Sequence, residues 1–188
     1  MANMETFFHG LMASDSVKSD IRSIKFQEGS QYAEIHDGAL VVLGELAPNP
    51  VYGANAKDYN VYLAKAPEKD TDKVVIVDLA EVSQGIIAGN TYKMGSKLVG
   101  LKLGAGYPGR VRRLHEGDMF WVSGDCFVSD PTVGQFAVPT ANDTKFTPAA
   151  VKAEDKLCVK VQAYKDFTVG ATIAGAGRSG KLYLCEVL

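Results

Sequence analysis

Two short stretches contain the pattern with which many proteins hold phosphate groups. Residues 104–110 spell "GAGYPGR" and residues 175–181 spell "GAGRSGK", so each has G-x-G-x-x-G followed by a cation. In dinucleotide-binding proteins such glycines let the backbone approach a pyrophosphate. The second stretch also matches G-x-x-x-x-G-K, which is most of a Walker A loop. Nucleotide binding is therefore the first hypothesis to examine.

The residues that follow each motif argue against this hypothesis. A phosphate loop depends on the N-terminus of the next helix, where unpaired N–H groups and the helix dipole favour an anion. After Gly180 only "KLYLCEVL" remains, which alternates like a strand and has Leu182 where a Walker A loop needs Ser or Thr. After the first motif, which contains Pro108, "RVRRLHEGD" reaches a turn within a few residues. We interpret both motifs as glycine-rich hairpin loops that need positive φ.

The other reactive side chains form no catalytic or metal-binding pattern in the sequence. The cysteines and histidines are widely separated: Cys126, Cys158 and Cys185; His9, His36 and His115. No histidine pair has metal-ligand spacing, and no G-x-S-x-G motif is present. The cysteines lie in apolar, strand-like contexts, so we expect buried free thiols. We predict no catalytic, cofactor-binding or metal-binding residue, and therefore no enzyme.

A basic cluster follows the first glycine motif. In a strand, Arg110 and Arg112 share one face, whereas Arg113 lies on the other. This favours a solvated strand or a salt-bridged contact surface over a phosphate site. The formal net charge of −2 also argues against a dedicated nucleic-acid-binding protein.

The elements that must position these residues are predicted to be strands. Short runs of Val, Ile, Tyr and Phe alternate with turn residues, and 19 glycines favour many turns over long helices. Ile24 and Phe26 share one strand face, residues 74–79 suit a strand buried on both faces, and Asp37-Gly38 is a type I′ hairpin signal. Only residues 148–156 suit a turn or two of helix. We predict a mostly β fold, a single β-barrel or β-sandwich domain.

The first part of the chain has a different character. Residues 1–24 have no strong period, combining the apolar "ETFFHGLM" with a polar, Ser-rich segment. We expect an extended N-terminal arm over 1–24 that needs a partner surface to order it, and a β-rich domain over 25–188. The N-terminus lacks the features of a signal peptide, and no apolar run suits a membrane span, so we expect a soluble protein made in a cytoplasm.

Several stretches occur in a familiar order. They are "DGALVVLGEL", "GDMFWVS", "VGQFAVPTANDTKFTPA", "CVKVQAYKDFTVG" and "KLYLCEVL". This order resembles small structural proteins of tailed-bacteriophage heads, of the capsid decoration or cement type. In that group similar stretches form a G-x-L-V-x-L-G-x-L opening, a GD-x-F middle and a short β C-terminus. The resemblance covers roughly residues 25 to 188, and it consists of turns and apolar alternation.

The resemblance implies a non-catalytic protein of the virion, located on the surface of the phage head. Its partners would be the major capsid protein and neighbouring copies of itself, with no membrane and no specific nucleic acid, and assembly into a homo-oligomer stays open. Affinity would come from contact area and multivalency on a lattice. The residues expected to contact the capsid are Phe7, Phe8, Leu11, Met12, Arg110 and Arg112.

Other functions stay open at this point. A tail component is one alternative, which would assemble into rings by itself. A sugar-recognition β-sandwich is another, with Trp121 and the eight tyrosines as stacking platforms. Trp121, however, alternates with Phe120 and Val122, so we expect it in the core or half-buried. A β-barrel enzyme whose chemistry leaves no sequence motif is the third.

Overall fold

The fold consists of β-strands and short turns. The structure is a computed structural model and describes residues 9–13, 21–53, 55–79, 84–87, 90–93, 102–169 and 178–188. Its strands are β1 (His9–Ala13), β2 (Ile21–Glu28), β3 (Gln31–Tyr32), β4 (Ile35–His36), β5 (Leu40–Pro48), β6 (Lys57–Lys65), β7 (Val74–Val77), β8 (Gln84–Ile87), β9 (Asn90–Lys93), β10 (Lys102–Leu103), β11 (Gly109–Arg112), β12 (Met119–Ser123), β13 (Phe136–Pro139), β14 (Phe146–Ala149), β15 (Val159–Val169) and β16 (Arg178–Val187). Short 3₁₀ turns cover Pro50–Tyr52 and Gly124–Cys126. The described ranges contain no α-helix, and the predicted mostly β fold is confirmed.

Five strands close into a barrel. Their order is β2, β6, β5, β7 and β11, and β11 completes the barrel because it pairs with β2 as well as with β7. β2 runs parallel to β6, and the other pairs in the barrel are antiparallel. Ile24 and Phe26 are buried inside the barrel, as the alternation of β2 predicts.

Six strands form a second layer, which we call the flanking sheet. Its order is β1, β12, β16, β15, β13 and β14, with every neighbouring pair antiparallel. Its core includes Phe120, Phe146 and Tyr183, which pack with Leu40 and Ile76 from the barrel. The barrel and the flanking sheet therefore share one apolar core.

The strands β5 and β7 lie between the two layers. Val75 and Val77 point into the barrel, whereas Ile76 packs against the flanking sheet. The prediction that residues 74–79 are buried on both faces is confirmed by β7. The backbone N–H of Leu40 also donates to Thr144 O at 2.7 Å, which joins β5 to the turn before β14.

Part of the expected N-terminal arm belongs to the flanking sheet. β1 pairs with β12, with His9 opposite Val122 and Ala13 opposite Met119. β2 begins at Ile21, so the predicted boundary at residue 24 falls inside a barrel strand. Ile21 lies opposite Arg112. The consecutive strands β1 and β2 therefore pair with the consecutive strands β12 and β11: β1 with β12 in the flanking sheet, and β2 with β11 in the barrel.

Two local predictions are wrong. Asp37-Gly38 does not form a type I′ hairpin, since positive φ is found only at Gly38 and the adjoining strands pair elsewhere: β4 with β10, and β5 with β6 and β7. Residues 148–156 are not helical, because β14 extends to Ala149 and bends follow. Pro148 and Ala149 lie opposite Ala137 and Phe136, and this pairing keeps the start of the segment extended. In the part of the chain that the structure describes, no helix is long and apolar enough to cross a membrane.

Candidate functional site

The first glycine motif connects two strands that do not pair with each other. It lies between β10, which pairs with β4, and β11, which pairs with β2 and β7. The predicted hairpin is therefore wrong here, although the strand that we expected after the motif is present. Because a strand and not a helix follows Gly109, no helix N-terminus is available for a phosphate group.

Glycine is favoured at two positions of this motif for different structural reasons. Gly106 has φ +77°, a left-handed conformation that disfavours any side chain. Gly109 is buried in β11, where a Cβ atom would lie 2.5 Å from Leu103 Cδ2 and 3.1 Å from Leu79 Cδ2. The turn and the packing of the barrel therefore explain the glycine spacing without a ligand.

The second glycine motif lies in sequence between two long paired strands and runs into the second of them. β15 and β16 pair antiparallel as far as Val169 opposite Arg178, so the predicted hairpin is confirmed for the strands on both sides. Gly175 and Gly177 lie outside the described residues. The last part of the motif belongs to β16, where Lys181 lies opposite Asp166.

Arg110 and Arg112 meet at one carboxylate, that of Asp78. Arg110 Nη2 lies 3.1 Å from Asp78 Oδ1, and Arg112 Nε lies 3.2 Å from Asp78 Oδ2. The side chain of Arg112 is only 11% exposed, and that of Arg110 is 40% exposed. Both arginines thus hold β11 to the end of β7, and their contact with a capsid stays a prediction.

Asp37 is a buried carboxyl group beside this ion-paired cluster. Its Oδ1 accepts a hydrogen bond from Leu79 N at 2.8 Å. The pKa of Asp37 is raised to about 7, chiefly by burial and also by the nearby Asp78, against the opposing effects of the Leu79 hydrogen bond and Arg110. No sequence pattern distinguishes this group, because an Asp-Gly pair indicates only a turn.

The three cysteines are free and buried, as predicted. Burial raises the pKa of Cys126 to about 12 and that of Cys185 still further, so these thiols stay protonated at neutral pH. Over the ranges that the structure describes, no three His, Cys, Asp or Glu side chains are grouped to hold a metal ion.

A groove beside β5 and β6 has a volume of about 480 Å³ and a mixed lining. It contains Glu45, Lys65 and Asp72 among its polar side chains. The carboxylate of Asp72 already accepts hydrogen bonds from Glu68 N at 2.8 Å and Lys69 N at 2.9 Å. Asp72 therefore stabilises the turn that contains it.

The hairpin of β5 and β6 ends in a strongly exposed apolar tip. We call residues 49–53 and 55–59 the β5–β6 tip. Its large apolar side chains are Val51, Tyr52 and Tyr59, which are 85%, 81% and 98% exposed. The sequence "PNPVYGANAKD" indicated only a turn-rich loop, and no sequence signal distinguished these side chains from core residues.

Hydrogen bonds hold the base of the β5–β6 tip. Asn49 N donates to Ala56 O at 2.9 Å, and the Asn49 side-chain amide donates to Asp58. Lys25 Nζ from β2 lies 2.8 Å from Asp58 Oδ2, and this contact holds the pKa of Asp58 below its usual value. The exposed side chains therefore project from an ordered hairpin.

Trp121 lies on the outer face of the flanking sheet and is half-buried, as expected from the alternation of β12. Phe120 and Val122 on either side are fully buried. Lys165 Nζ lies 4.2 Å from the centre of the Trp121 ring, within the range of a cation–π contact. A sugar stacking on this ring would have to displace the lysine.

Two of the four predicted apolar anchors lie in β1. Leu11 and Met12 belong to β1, where Leu11 is opposite Phe120. Phe7 and Phe8 lie outside the described residues. The contact of these four residues with a capsid stays a prediction.

Comparison of the chain with protein-family models, with curated proteins and with solved structures finds no match.

Proposed function

We propose that this chain is a virion structural protein of the capsid decoration type, which binds and stabilises a phage head lattice without catalysis. The observation that carries the proposal is the β5–β6 tip, where Val51, Tyr52 and Tyr59 project into solvent from a hydrogen-bonded hairpin. Apolar side chains that an ordered hairpin holds in water favour a protein contact.

The rest of the fold supports the same function. The ionic groups nearest the first glycine motif are used within the barrel, where Asp78 pairs with Arg110 and Arg112. The two layers share an apolar core, which gives a rigid body. A decoration protein needs such a body to hold its contact surface against the lattice.

The proposal is tested by co-expressing the chain with its candidate major capsid protein and imaging the assemblies. We expect regular density on the outside of the shell, and co-sedimentation of the chain with the capsids. Capsids assembled without the chain are the control. If the chain stays in the supernatant and the shell surface is bare, the proposal is wrong.

The N-terminal residues are proposed to supply part of this contact. Deletion of residues 1–20 is expected to lower the occupancy of preformed capsids, but it also removes β1 from the edge of the flanking sheet. A second variant, Phe7→Ser with Phe8→Ser, removes two apolar anchors and leaves β1 in the sequence. Unchanged occupancy for both variants would contradict a role for the N-terminal anchors.

A sugar-binding module is the second candidate, favoured by the exposed rings of Tyr52 and Tyr59. Aromatic rings of this kind stack on other flat or apolar ligand faces as well as on proteins. A glycan array separates the two functions. Binding to one glycan class that is lost in Tyr52→Ala would favour the sugar-binding module over the decoration protein.

A further inference from the structure

We propose that Tyr32 and Tyr107, together with the neighbouring ion pair of Glu34 and Lys102, form a binding site for a neutral saccharide. We call these four residues the tyrosine face. Both tyrosines are exposed, Tyr32 by 40% and Tyr107 by 70%. Saccharide binding here goes beyond the proposed function and does not depend on capsid binding, so either one can fail without the other.

The pairing of β4 with β10 places the ion pair on the solvent side of these strands. Leu103 lies opposite Ile35, and both side chains are buried in the core of the barrel. Because successive side chains of a strand point to opposite sides, Lys102 and Glu34 beside them point outward. Lys102 Nζ lies 3.3 Å from Glu34 Oε2, and both side chains are at least half exposed.

Tyr32 lies on the same solvent side as Glu34. Ala33 between them packs against the core of the barrel. A Cβ atom built on Gly106 would lie 3.7 Å from Tyr32 Cδ2, so the Tyr32 ring contacts the turn of the first glycine motif. This contact brings the ring of Tyr32 to the loop that carries Tyr107.

The ring of Tyr107 is seated on the same loop. A Cβ atom built on Gly104 would lie 3.2 Å from Tyr107 Cδ2, which is closer than most side chains tolerate. The missing Cβ of Gly104 therefore lets the ring approach the backbone. Tyr107 N donates to Gly104 O at 3.2 Å and closes the turn. A ring that is already placed loses little conformational entropy on binding a ligand.

The charges around the two rings indicate a neutral ligand. Glu34 and Lys102 compensate each other. Arg110, the cation that ends the motif, is paired with Asp78, since its Nη2 lies 3.1 Å from Asp78 Oδ1. Within the tyrosine face, positive and negative charges are thus equal in number. Sites for phosphate groups or single-stranded nucleic acid need an excess of positive charge.

The chemistry of the four side chains suits a sugar ring. Aromatic rings pack against apolar ligand faces, and the C–H groups of a pyranose form such a face. The carboxylate of Glu34 accepts hydrogen bonds and the ammonium group of Lys102 donates them, so this pair can serve sugar hydroxyl groups of either orientation. Ligand sites commonly combine aromatic side chains with a few polar groups in this way.

The size of the tyrosine face argues for a small ligand over a protein partner. A tyrosine buries about 150–250 Å², so the two rings offer at most roughly 300–500 Å². A stable interface between two proteins buries about 800 Å² on each partner. A saccharide that covers two rings needs no larger area, and it is therefore the occupant that the tyrosine face favours.

The test is a glycan array probed with the purified protein, followed by titration calorimetry with the neutral glycan that gives the strongest signal. We expect Tyr32→Ser and Tyr107→Ser each to weaken binding by at least about tenfold, because truncation of an aromatic anchor commonly has this effect or more. The matched control is Tyr164→Ser, which removes a 52% exposed tyrosine from the flanking sheet and should leave the affinity unchanged. Thermal unfolding of each variant checks that its fold is intact.

Several results would overturn this site. One is the absence of binding to any neutral glycan, and another is binding to sulfated or sialylated glycans alone, which would indicate recognition of an anion. Equal weakening in the test variants and in Tyr164→Ser also contradicts the site. Loss of binding in Tyr52→Ala, with both test variants unaffected, would move sugar recognition to the β5–β6 tip. Co-sedimentation with capsids decides the proposed function separately.

Discussion

Two regions, one in the barrel and one in the flanking sheet, bury different kinds of side chain. Near the contact between β7 and β11, the barrel buries Asp37, Asp78 and most of Arg112. We call these three residues the charged seam. The core of the flanking sheet is built from aromatic rings, such as Phe146 and Tyr183. The comparison indicates that the contact between β7 and β11 depends on correct pairing of buried charge, whereas the aromatic core depends on how well its rings fill space.

A substitution in the aromatic core of the flanking sheet is expected to lower the free energy of unfolding most. Phe146 is fully buried, and its ring centre lies 5.6 Å from that of Phe127 and 6.4 Å from that of Phe120. We expect Phe146→Ala to lower the free energy of unfolding by about 4 kcal/mol, because it leaves a cavity among rings that cannot collapse. Urea denaturation measures this loss. Val151→Ala, at a 75% exposed position, is the control; equal losses in the two variants would show that the ring cluster is unimportant.

A substitution in the charged seam of the barrel is expected to have the next largest effect on the free energy of unfolding. Asp78→Ala leaves the largely buried Arg112 without its carboxylate, so we expect a loss of about 3 kcal/mol in the free energy of unfolding. Asp70→Ala is the matched control, since it breaks the more exposed ion pair with Lys156. We expect a clearly smaller loss there because solvent screens that pair. Denaturation of both variants in the same buffer decides the comparison, and similar losses would contradict a special role of the seam.

Asp37 makes the barrel sensitive to pH. Because burial raises its pKa to about 7 in the folded state, from 3.8, the folded protein binds this proton more tightly than the unfolded chain does. Its contribution to stability is complete below the unfolded pKa and is lost as the pH rises through about 7. The free energy of unfolding should fall by about 2.5 kcal/mol between pH 5 and pH 8 from this group alone.

The variant Asp37→Asn isolates this effect. Asparagine has no charge to bury, and its side-chain oxygen can still accept the hydrogen bond from Leu79 N. We expect the variant to be more stable than the unchanged protein at pH 8, and to have lost this part of the pH dependence in denaturant titrations from pH 5 to pH 8. An unchanged slope of stability against pH would show that another group titrates there.

Substitutions at the glycines of the first motif have the smallest expected effects on stability. Comparing two of them separates the cost of steric crowding from the cost of an unfavourable backbone conformation. Gly109→Ala forces a Cβ atom against Leu103 and Leu79, for which we expect a loss of about 2 kcal/mol. Gly106→Ala has room for its Cβ but must keep φ at +77°, for which we expect about 1 kcal/mol. Thermal unfolding of the two variants measures the order. A larger loss at Gly106 would mean that the turn matters more than the packing of the barrel.

The strands themselves were largely predictable. The alternation of Ile24 and Phe26, and of Phe120 and Val122 around Trp121, predicts which side chains are buried. These predictions succeed because a strand exposes successive residues on opposite faces, which is a local property of the backbone. The free cysteines were predictable for a similar reason, since each lies within an apolar stretch.

The pairing of the strands was not predictable from the same patterns. The Asp37-Gly38 turn and the Gly104 to Gly109 motif both suggest hairpins, yet the strands beside them pair with distant parts of the chain. Turn residues describe only the local direction of the backbone. Barrel closure through β2 and β11 joins residues that are far apart in sequence, so local turn signals cannot indicate it.

The sequence by itself determined the β character of this protein, the buried faces of its main strands and the absence of a phosphate-binding helix after either glycine motif. Each of these depends on neighbouring residues and their period. Only the tertiary structure decided that Asp37 is buried, that Asp78 pairs with two arginines, and that Tyr52 and Tyr59 stand in solvent. Burial and charge pairing depend on which distant segments meet, and that is settled when the barrel closes and packs against the flanking sheet.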